Sequence, residues 1–324
     1  MLRLVECVPN FSEGKNTVKI DDIVSQMASV SGVTVLDVDP GADTNRTVVT
    51  MVGMPEAIEK GAFRGIKRAS EILDMSHHNG THPRMGATDV CPFIPVSGVS
   101  DEECIELSKQ VGKRVGDELG IPVYLYEKSA RKPDRVKLPN IRNGEYEGLA
   151  KKMKDDNWKP DFGPAKFHVK AGATVIGCRE FLIAYNINLN TKDHRLATDI
   201  AFELRETGRS KRISNPKSKN LLDGEIVRHY DGKPVKVPGM FKDVKAIGWY
   251  VDIFNRAQIS INFNNYKVST IHDVFDEACR LADDRGVRVT GSELVGLIPL
   301  EAMLMAGKHY LKKQNRSLGV PVKY

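Results

Sequence analysis

The chain has 324 residues, more than one hydrophobic core usually organises, so we expect two domains. Its 41% of hydrophobic and 28% of charged residues are typical of a globular protein, and no run reaches the roughly 18 apolar residues of a membrane span. The net charge of +6 could indicate a nucleic-acid partner. Much of it, however, lies between Arg205 and Lys245, where aromatic residues do not alternate with basic ones as stacking on single strands requires. We therefore expect a basic surface loop, no nucleic-acid partner and no membrane association.

The N-terminus and the cysteines indicate the compartment. The first residues, MLRLVECVPNF, have neither the long apolar stretch nor the small-residue cleavage site of a signal peptide, so we expect a cytoplasmic protein. The five cysteines are odd in number, widely scattered and without C-x-x-C spacing. They predict buried, reduced thiols rather than a disulfide framework or a zinc site.

Strand and helix patterns alternate along the first half of the chain. Short apolar runs predict strands at 2–8, 33–38, 47–52, 89–96 and 121–126. Amphipathic spacing, with a capping box of Ser100 and Glu103, predicts helices at 17–30, 55–73 and 100–119. This order is β-α-β-β-α-β with an added α-β, close to the split β-α-β sandwich.

Residues 127–171 are irregular and rich in Lys, Arg, Pro and Asp, which predicts a linker with one short helix at 146–154. The second half repeats the plan, with strands at 174–176, 181–189, 244–251, 258–263 and 287–290, helices at 193–206, 271–284 and 300–312, and an insert at 209–241. We therefore predict an α+β (α/β) sandwich of two ferredoxin-like subdomains, each a mixed sheet with helices packed on it. The first spans 1–170, including the linker, the second spans 171–324, and a ligand is expected between them.

Three polar segments lie at predicted strand ends, where a rigid sheet can present loop residues. They are VPNFSEG from Val8, DVDPGADTNRT from Asp37 and HHNGTHPRMGATD from His77. Together they offer histidines for proton transfer, carboxylates to orient them and arginines to hold substrate carboxylates. Residue types alone leave His82 open between a proton carrier and a plain His-Pro turn.

Other functional classes find little support in the sequence. His77, His78 and His82 suggest zinc, but adjacent histidines cannot easily face one ion and no Cys or Glu completes the set, so we expect no metal. The sequence contains no G-x-x-x-x-G-K-[ST], no G-x-G-x-x-G after the first strand and no G-x-S-x-G. This disfavours a P-loop kinase, a dinucleotide oxidoreductase and a serine hydrolase.

Taken as strings, these segments resemble the formiminotransferase family. The resemblance begins with LVECVPNFSEGKN at Leu4, LDVD and TNRTVVT from Leu36, and HPRMGATDVCPFIPV from His82. It continues through PVYLYEKSAR, GEYEGL, WKPDFGP and GATVIGCREFLIAYNINL to AIGWYVD at Ala246 and GSELVGLIPLEAML at Gly291. It covers residues 2–310, and motifs of this length are too long to arise by chance.

The resemblance implies two α/β subdomains with folate in a cleft between them, usually in a homodimer. It implies transfer of the formimino group from N-formimino-glutamate to N5 of tetrahydrofolate, the co-substrate, in histidine degradation. The catalytic histidine of the family corresponds to His82. The family's folate-binding stretch falls on ten residues, which are Gly163, Pro164, Ala165, Lys166, Phe167, His168, Val169, Lys170, Ala171 and Gly172.

The chemistry of this reaction suggests roles for four residues. We expect His82 to take the proton from N5 as it attacks the amidine-type carbon, and to give a proton to the departing glutamate amine. Asp39 would orient the imidazole and stabilise its cationic form. Arg46 and Arg84 are candidates for binding substrate carboxylates.

Some features depart from the animal members of the family. Lys166, His168 and Lys170 make the folate stretch more basic, which suits either a polyglutamate tail or solvated loop lysines. The insert at 209–241 is longer and has no assigned role. No all-helical cyclodeaminase domain follows, so we expect a separate cyclodeaminase to use the product. Two alternatives stay open: a 5-formyltetrahydrofolate-using, cyclo-ligase-like activity that needs ATP, and a non-catalytic folate-binding protein.

Overall fold

A computed structural model describes residues 2–218 and 221–317 of the chain. The chain forms two compact units, Met1–Glu180 and Phe181–Tyr324. Residues 219 and 220 of the predicted insert and residues 318–324 of the predicted second domain lie outside the described residues. Within the described ranges, no helix is both long enough and apolar enough to cross a membrane.

The first unit is built on one seven-stranded sheet. Its strands are β1 (Leu4–Cys7), β2 (Asn10–Phe11), β3 (Val33–Gly41), β4 (Arg46–Gly53), β5 (Thr88–Ser97), β6 (Val123–Leu125) and β7 (Thr174–Cys178). Strand β4 lies between β3 and β1, and β1 lies between β4 and β5, all antiparallel, as in a split β-α-β sandwich. Strands β7 and β6 extend the sheet beyond β5 in parallel.

Helices cover both faces of this sheet. They are α1 (Thr17–Ala28), α2 (Pro55–Ile72), α3 (Asp101–Leu119), α4 (Leu138–Arg142) and α5 (Glu145–Lys152). The first three share a core with Cys91 of β5, whereas Ile141 of α4 and Leu149 of α5 share a separate cluster with Val90. Val90 and Cys91 enter different cores because successive side chains of a strand point to opposite faces.

Local sequence explains where these helices begin. Ser100 caps α3 by accepting the Glu103 N–H at 3.2 Å, and the Glu103 carboxylate accepts the Ser100 N–H at 2.9 Å, which confirms the predicted capping box. Asn16 caps α1 by accepting the Lys19 N–H at 3.1 Å. Pro55 occupies the first turn of α2. Backbone N–H groups in a first turn have no intrahelical acceptor, so a proline there costs the helix no hydrogen bond.

The second unit repeats the plan on a four-stranded sheet. Its helices are α6 (His194–Leu204), α7 (Ile271–Asp284) and α8 (Leu300–Ser317), and its strands are β8 (Ile183–Leu189), β9 (Arg209–Ser210), β10 (Arg212–Ile213), β11 (Glu225–Ile226), β12 (Lys236–Val237), β13 (Val244–Val251), β14 (Arg256–Phe263) and β15 (Val289–Val295). The spatial order β13-β14-β8-β15 corresponds to β3-β4-β1-β5, which confirms two α+β subdomains of one plan. In the insert, β9 pairs with β12 and β10 with β11.

Two predicted boundaries differ from the structure. The domain boundary predicted at residue 170 falls short of Glu180, where the first unit ends. The reason is β7, which we assigned to the second half but which pairs in parallel with β5 and β6. Strand β15 also runs beyond the predicted end at 290, because it continues to pair with β8 as far as Val295.

The segment predicted as a linker is a folded part of the first unit. Arg135 is only 1% exposed and donates to the Asp161 carboxylate at 2.7 Å. The same guanidinium donates to the carbonyl oxygens of Asn157 and Lys159, and Asp161 also accepts the Leu125 N–H of β6. The linker prediction is wrong because these charges are paired across the fold, which the polar composition of the segment does not reveal.

Candidate active site around His82

His82 lies in the loop that leads into β5 and is half-buried. Its Nδ1 lies 2.7 Å from the carbonyl oxygen of Pro83, so the neutral imidazole carries its proton on Nδ1 and donates it there. Within residues 2–218 and 221–317, Nε2 has no hydrogen-bond partner. The backbone therefore selects the tautomer whose Nε2 lone pair is open to a ligand.

The surroundings of His82 favour its neutral form. Burial, followed by the nearby guanidiniums of Arg46 and Arg142, lowers the pKa of His82 to about 4, against the opposing effects of Asp89 and the Pro83 carbonyl. At neutral pH the imidazole is therefore unprotonated and can accept a proton. An anionic ligand beside the two arginines would raise this pKa, because it would offset their charge.

Arg46 begins β4, is half-buried and has a neutral side-chain partner. Its Nη1 donates to Oδ1 of Asn10 at 2.8 Å. Burial and the nearby Arg142 lower the pKa of Arg46, while Asp89 and Asp39 oppose this shift. No ion pair is made by Arg46 within the part of the chain that the structure describes, so its charge is available to a substrate carboxylate.

Arg142 and Asp89 form a buried ion pair next to these residues. Asp89 is fully buried, and its Oδ1 accepts the Met85 N–H at 2.9 Å while its Oδ2 accepts Nη2 of Arg142. Nε of Arg142 is buried without a hydrogen-bond partner among the described residues. Since Arg46 and Arg142 bring two positive charges and Asp89 one negative charge, the surroundings of His82 carry a net positive charge.

Asp39 makes no hydrogen bond or ion pair with His82 among the described residues. It is exposed on β3, opposite Val48 of β4. The orienting contact predicted for Asp39 is instead made by the Pro83 carbonyl. Arg46 and Arg142 favour the neutral imidazole, and the stabilisation of its cationic form by Asp39 stays a prediction.

Arg84 is a buried bridge within the protein. Its guanidinium donates to Glu145 at 3.0 Å and to both carboxylate oxygens of Glu147 at 2.6 and 2.9 Å. Its Nε donates to Nδ1 of His78 at 3.2 Å. A substrate carboxylate would have to displace these partners, so the structure argues against the predicted substrate-binding role of Arg84 and favours a structural one.

The predicted folate stretch, residues 163–172, is joined to the His82 loop at its C-terminal end. Ala171 accepts the Ala87 N–H at 2.9 Å, and Gly172 forms a β-bridge with Gly86. Gly172 has φ +68°, and a Cβ atom there would lie 2.1 Å from the Met85 carbonyl oxygen. Only glycine permits both this conformation and this close approach. The two predicted site segments thus share backbone contacts, and the folate role of the stretch stays a prediction.

The basic residues of this stretch differ in their surroundings. Lys166 is exposed, whereas Nζ of Lys170 donates to the carbonyl oxygen of Glu71. His168 is half-buried, and its Nδ1 accepts the Ala171 N–H at 3.0 Å. Lys170 and His168 therefore brace the stretch; both lysines are exposed, and Lys166 is the one that makes no hydrogen bond among the described residues.

Sequence reasoning missed Arg142 and gave no role to Asp89, the last residue of the polar segment that begins at His77. Arg142 lies 53 residues after Asp89 in a segment rich in basic residues, so no local pattern separates it from its neighbours. One signal was available: Asp89 directly precedes an apolar run, and a carboxylate buried at such a point requires a charged or hydrogen-bonding partner.

The histidines that suggested zinc do not converge on one ion. His78 donates from Nε2 to the Asn45 carbonyl oxygen at 2.9 Å and accepts Arg84 at Nδ1, so both of its ring nitrogens are occupied. In the second unit, His272, Asp273 and His309 each place a candidate ligand atom within 4.8 Å of the others. His309 already binds Asp276 at 3.0 Å and stacks on His272, which joins α7 to α8 through protein contacts.

Family models match nearly the whole chain. The model of the formiminotransferase domain, N-terminal subdomain, matches residues 4–179, and the model of the formiminotransferase domain matches residues 184–321. The chain belongs to the formiminotransferase family. The two family models meet close to the boundary between Glu180 and Phe181, so each compact unit corresponds to one subdomain of the family.

Relatives within this formiminotransferase family fall into two sizes. The formimidoyltransferase-cyclodeaminase of Dictyostelium discoideum is 48% identical over 97% of this chain, which spans 54% of that protein, about half its length. The glutamate formimidoyltransferase of Streptococcus pyogenes serotype M1 is 39% identical, with 97% of this chain and 95% of that protein covered. The glutamate formimidoyltransferase of Thermoplasma acidophilum is 41% identical, with 96% and 93% covered.

Proposed function

We propose that the protein transfers the formimino group from N-formimino-L-glutamate to N5 of tetrahydrofolate, which gives 5-formimidoyltetrahydrofolate and L-glutamate. The observation that carries the proposal is the open Nε2 of a neutral His82 beside positively charged arginines. It is supported by the names of the two relatives that this chain covers over more than nine-tenths of their length. Tetrahydrofolate is the co-substrate in this proposal, and the pathway is histidine degradation.

The first half of the reaction needs a base. As N5 attacks the carbon of the formimino group, a tetrahedral intermediate forms and the N5–H becomes acidic. Nε2 of His82 accepts this proton, while Nδ1 keeps its proton on the Pro83 carbonyl. A positioned base of this kind contributes a factor of about 10²–10⁴ to the rate.

The second half needs an acid. The carbon–nitrogen bond to glutamate breaks, and the departing amine takes the proton from Nε2, which restores the neutral imidazole. Arg46 binds a substrate carboxylate, and the anion offsets the positive charge that lowers the pKa of His82 in the free protein. Substrate binding thereby makes the imidazole basic enough to take the first proton.

Asp39 and Arg84 take other roles in this proposal than those predicted from sequence. Asp39 acts on Arg46, because it opposes the lowering of the Arg46 pKa by burial and by Arg142. Arg84 ties the His82 loop to α5 through Glu145 and Glu147. The folate stretch, residues 163–172, would contact tetrahydrofolate, with exposed Lys166 facing a polyglutamate tail.

The setting of the enzyme is also part of the proposal. We place it in the cytoplasm as a homodimer, with formiminoglutamate and polyglutamated tetrahydrofolate as its small-molecule substrates. A separate cyclodeaminase would then use the product. Gel filtration with light scattering tests the dimer, and two subunits per particle is the expected result.

A coupled assay tests the reaction. Glutamate release from formiminoglutamate is measured with glutamate dehydrogenase, with and without tetrahydrofolate. We expect release only when both substrates are present, since N5 is the acceptor. A parallel reaction receives 5-formyltetrahydrofolate and ATP; turnover there alone would favour the cyclo-ligase-like activity. Folate binding without turnover in either reaction would favour a binding protein.

A further inference from the structure

The insert of the second unit contains a cavity of about 280 Å³ lined mainly by basic residues. Arg209 and Ser210 of β9, Arg212 of β10 and Lys236 of β12 contribute to its wall. Arg205, which follows α6, completes the basic lining. The two small sheets of the insert therefore gather cationic side chains that the sequence spreads over 32 residues, from 205 to 236.

One of these cations is fully compensated by carboxylates. Arg209 donates to Asp199 at 2.8 Å and to Glu203 at 2.8 Å, and both carboxylates also bind Arg285. Two arginines and two carboxylates thus balance each other beside the cavity. Arg209 stabilises the wall and has no charge to spare for a ligand.

The other three cations have no carboxylate partner in the part of the chain that the structure describes. Arg205 donates from Nε to the Gly208 carbonyl oxygen at 2.9 Å, and its guanidinium lies over the Phe202 ring at 4.0 Å. Arg212 donates from Nη1 to two backbone carbonyl oxygens, those of Leu222 and Gly224. The segments outside the described ranges contain no Asp or Glu in the sequence.

These contacts leave donors and charge unused. Nη2 of Arg205 and Nη2 of Arg212 have no hydrogen-bond partner among the described residues. Nζ of Lys236 lies 3.2 Å from the Ser210 hydroxyl, which is neutral. Burial and the neighbouring Arg209 lower the pKa of Arg205, as expected for a cation held beside another cation without an anion between them.

We infer that this cation cluster, Arg205, Arg212 and Lys236 with the Ser210 hydroxyl, binds a small oligoanion whose negative oxygens are closely spaced. Guanidinium forks bind such oxygens through paired hydrogen bonds, and the lysine adds a mobile point charge. The cavity is smaller than a typical drug-sized pocket, so it holds an anionic group and not an entire large ligand. Phosphate groups and clustered carboxylates share this chemistry. The inference is independent of the proposed reaction.

Isothermal titration calorimetry of the full chain with inorganic pyrophosphate and with tetraglutamate tests the site. We expect at least one probe to bind, more weakly as salt rises from about 50 to 200 mM, because screening shortens the reach of the charges. Lys236→Gln should weaken that binding about fivefold, and Arg212→Gln with Lys236→Gln about 20-fold or more. Tighter pyrophosphate binding identifies a phosphate ligand, and tighter tetraglutamate binding identifies a polycarboxylate.

Lys217→Gln is the matched control, because it removes the same charge as Lys236→Gln. Lys217 is exposed in the same insert and does not line the cavity. We expect this variant to bind either probe like the unaltered chain. Equal weakening by Lys217→Gln and Lys236→Gln would overturn the inference, since it would mean a diffuse field and no site. Binding of neither probe at low salt would overturn it as well. Arg212→Lys keeps the charge but loses the guanidinium fork, so it should bind the probe more weakly than the unaltered chain. An unchanged circular dichroism spectrum would show that losing the contacts to the Leu222 and Gly224 carbonyl oxygens has not unfolded the insert.

Discussion

The two units share one arrangement of four strands and differ in what is attached to it. In the first unit the order β3-β4-β1-β5 is extended by β7 and β6, and helices cover both faces. In the second unit the order β13-β14-β8-β15 has its helices on one face, where Ile200 and Val274 meet Ile259. The alternate side chains of its strands lie on the other face, where Gln258 donates to Asn188 at 2.9 Å and Ile247 and Trp249 are exposed.

The candidate sites combine the shared frame with these additions: His82 precedes strand β5 and Arg46 begins strand β4 of the frame, and other residues come from the added segments. The first unit adds residues 127–180, which supply Arg142, the folate stretch and the buried Arg135–Asp161 pair. The second adds the insert between α6 and β13, which supplies the cation cluster. A common frame positions loops and inserts but does not decide what they bind, which is why one fold can serve different functions.

Removing the His82 imidazole should have the largest effect of the variants that compare the two units. His82→Ala should lower kcat by a factor of about 10²–10⁴, because the base and the acid of the reaction are lost together. Tetrahydrofolate should still bind, since the folate stretch is held by its own backbone contacts. The measurements are steady-state kinetics and equilibrium dialysis with tetrahydrofolate.

His77→Ala is the control for this variant. His77 is exposed and lies 3.4 Å from Asp74, its one ion-pair partner among the described residues, so its loss should leave turnover unchanged. A His82→Ala enzyme that kept turnover within a few-fold of the unaltered chain would remove His82 from the mechanism. A variant that no longer bound tetrahydrofolate would instead make His82 a binding residue.

Breaking a buried ion pair in each unit compares how much such a pair contributes to the free energy of unfolding of that unit. Arg135→Met should destabilise the first unit by about 3–5 kcal/mol, because it leaves the Asp161 carboxylate buried without its partner. Asp199→Asn should destabilise the second unit less, because Glu203 still binds both Arg209 and Arg285. Urea denaturation followed by tryptophan fluorescence measures both effects.

The two tryptophans allow each unit to be observed separately, since Trp158 lies in the first and Trp249 in the second. Trp249→Phe chains report on the first unit and Trp158→Phe chains on the second. Equal losses of stability in both units would contradict the expectation that the shared carboxylates protect the second unit. An unchanged urea midpoint in Arg135→Met would mean that methionine replaces the buried ion pair without loss of unfolding free energy.

Changing the charge near His82 should have the smallest effect. Arg46→Met removes a guanidinium that lowers the pKa of His82, so this pKa should rise from about 4, on the order of one unit. The acidic limb of the kcat/KM profile, on which activity falls as His82 becomes protonated, would then move to higher pH. The KM for formiminoglutamate should rise in the same variant, because a carboxylate loses its partner.

Arg64→Met is the control for the loss of an arginine as such. Arg64 lies on α2, donates to Ser29 and is not among the groups that shift the pKa of His82. The profile of Arg64→Met should match that of the unaltered chain. An acidic limb that moved to lower pH in Arg46→Met would contradict the electrostatic account of His82. An unchanged KM would place the substrate carboxylate elsewhere.

Patterns carried by neighbouring residues predicted most of the fold. The capping box of Ser100 and Glu103 and the amphipathic face of α3 follow from local spacing and are confirmed. Strand β7 was assigned to the wrong unit because its apolar run is the same whichever sheet it joins. The resemblance to the formiminotransferase family, based on long strings such as HPRMGATDVCPFIPV, is confirmed by the family models.

The sequence by itself determined the order of elements, the family and the candidacy of His82, because periodicity and motifs are properties of short stretches. Only the tertiary structure decided the tautomer of His82, the partners of Arg84 and the proximity of Arg142. These depend on which distant groups the fold brings into hydrogen-bond or charge contact. A charge is free or compensated according to those groups, and residue type and spacing leave that undetermined.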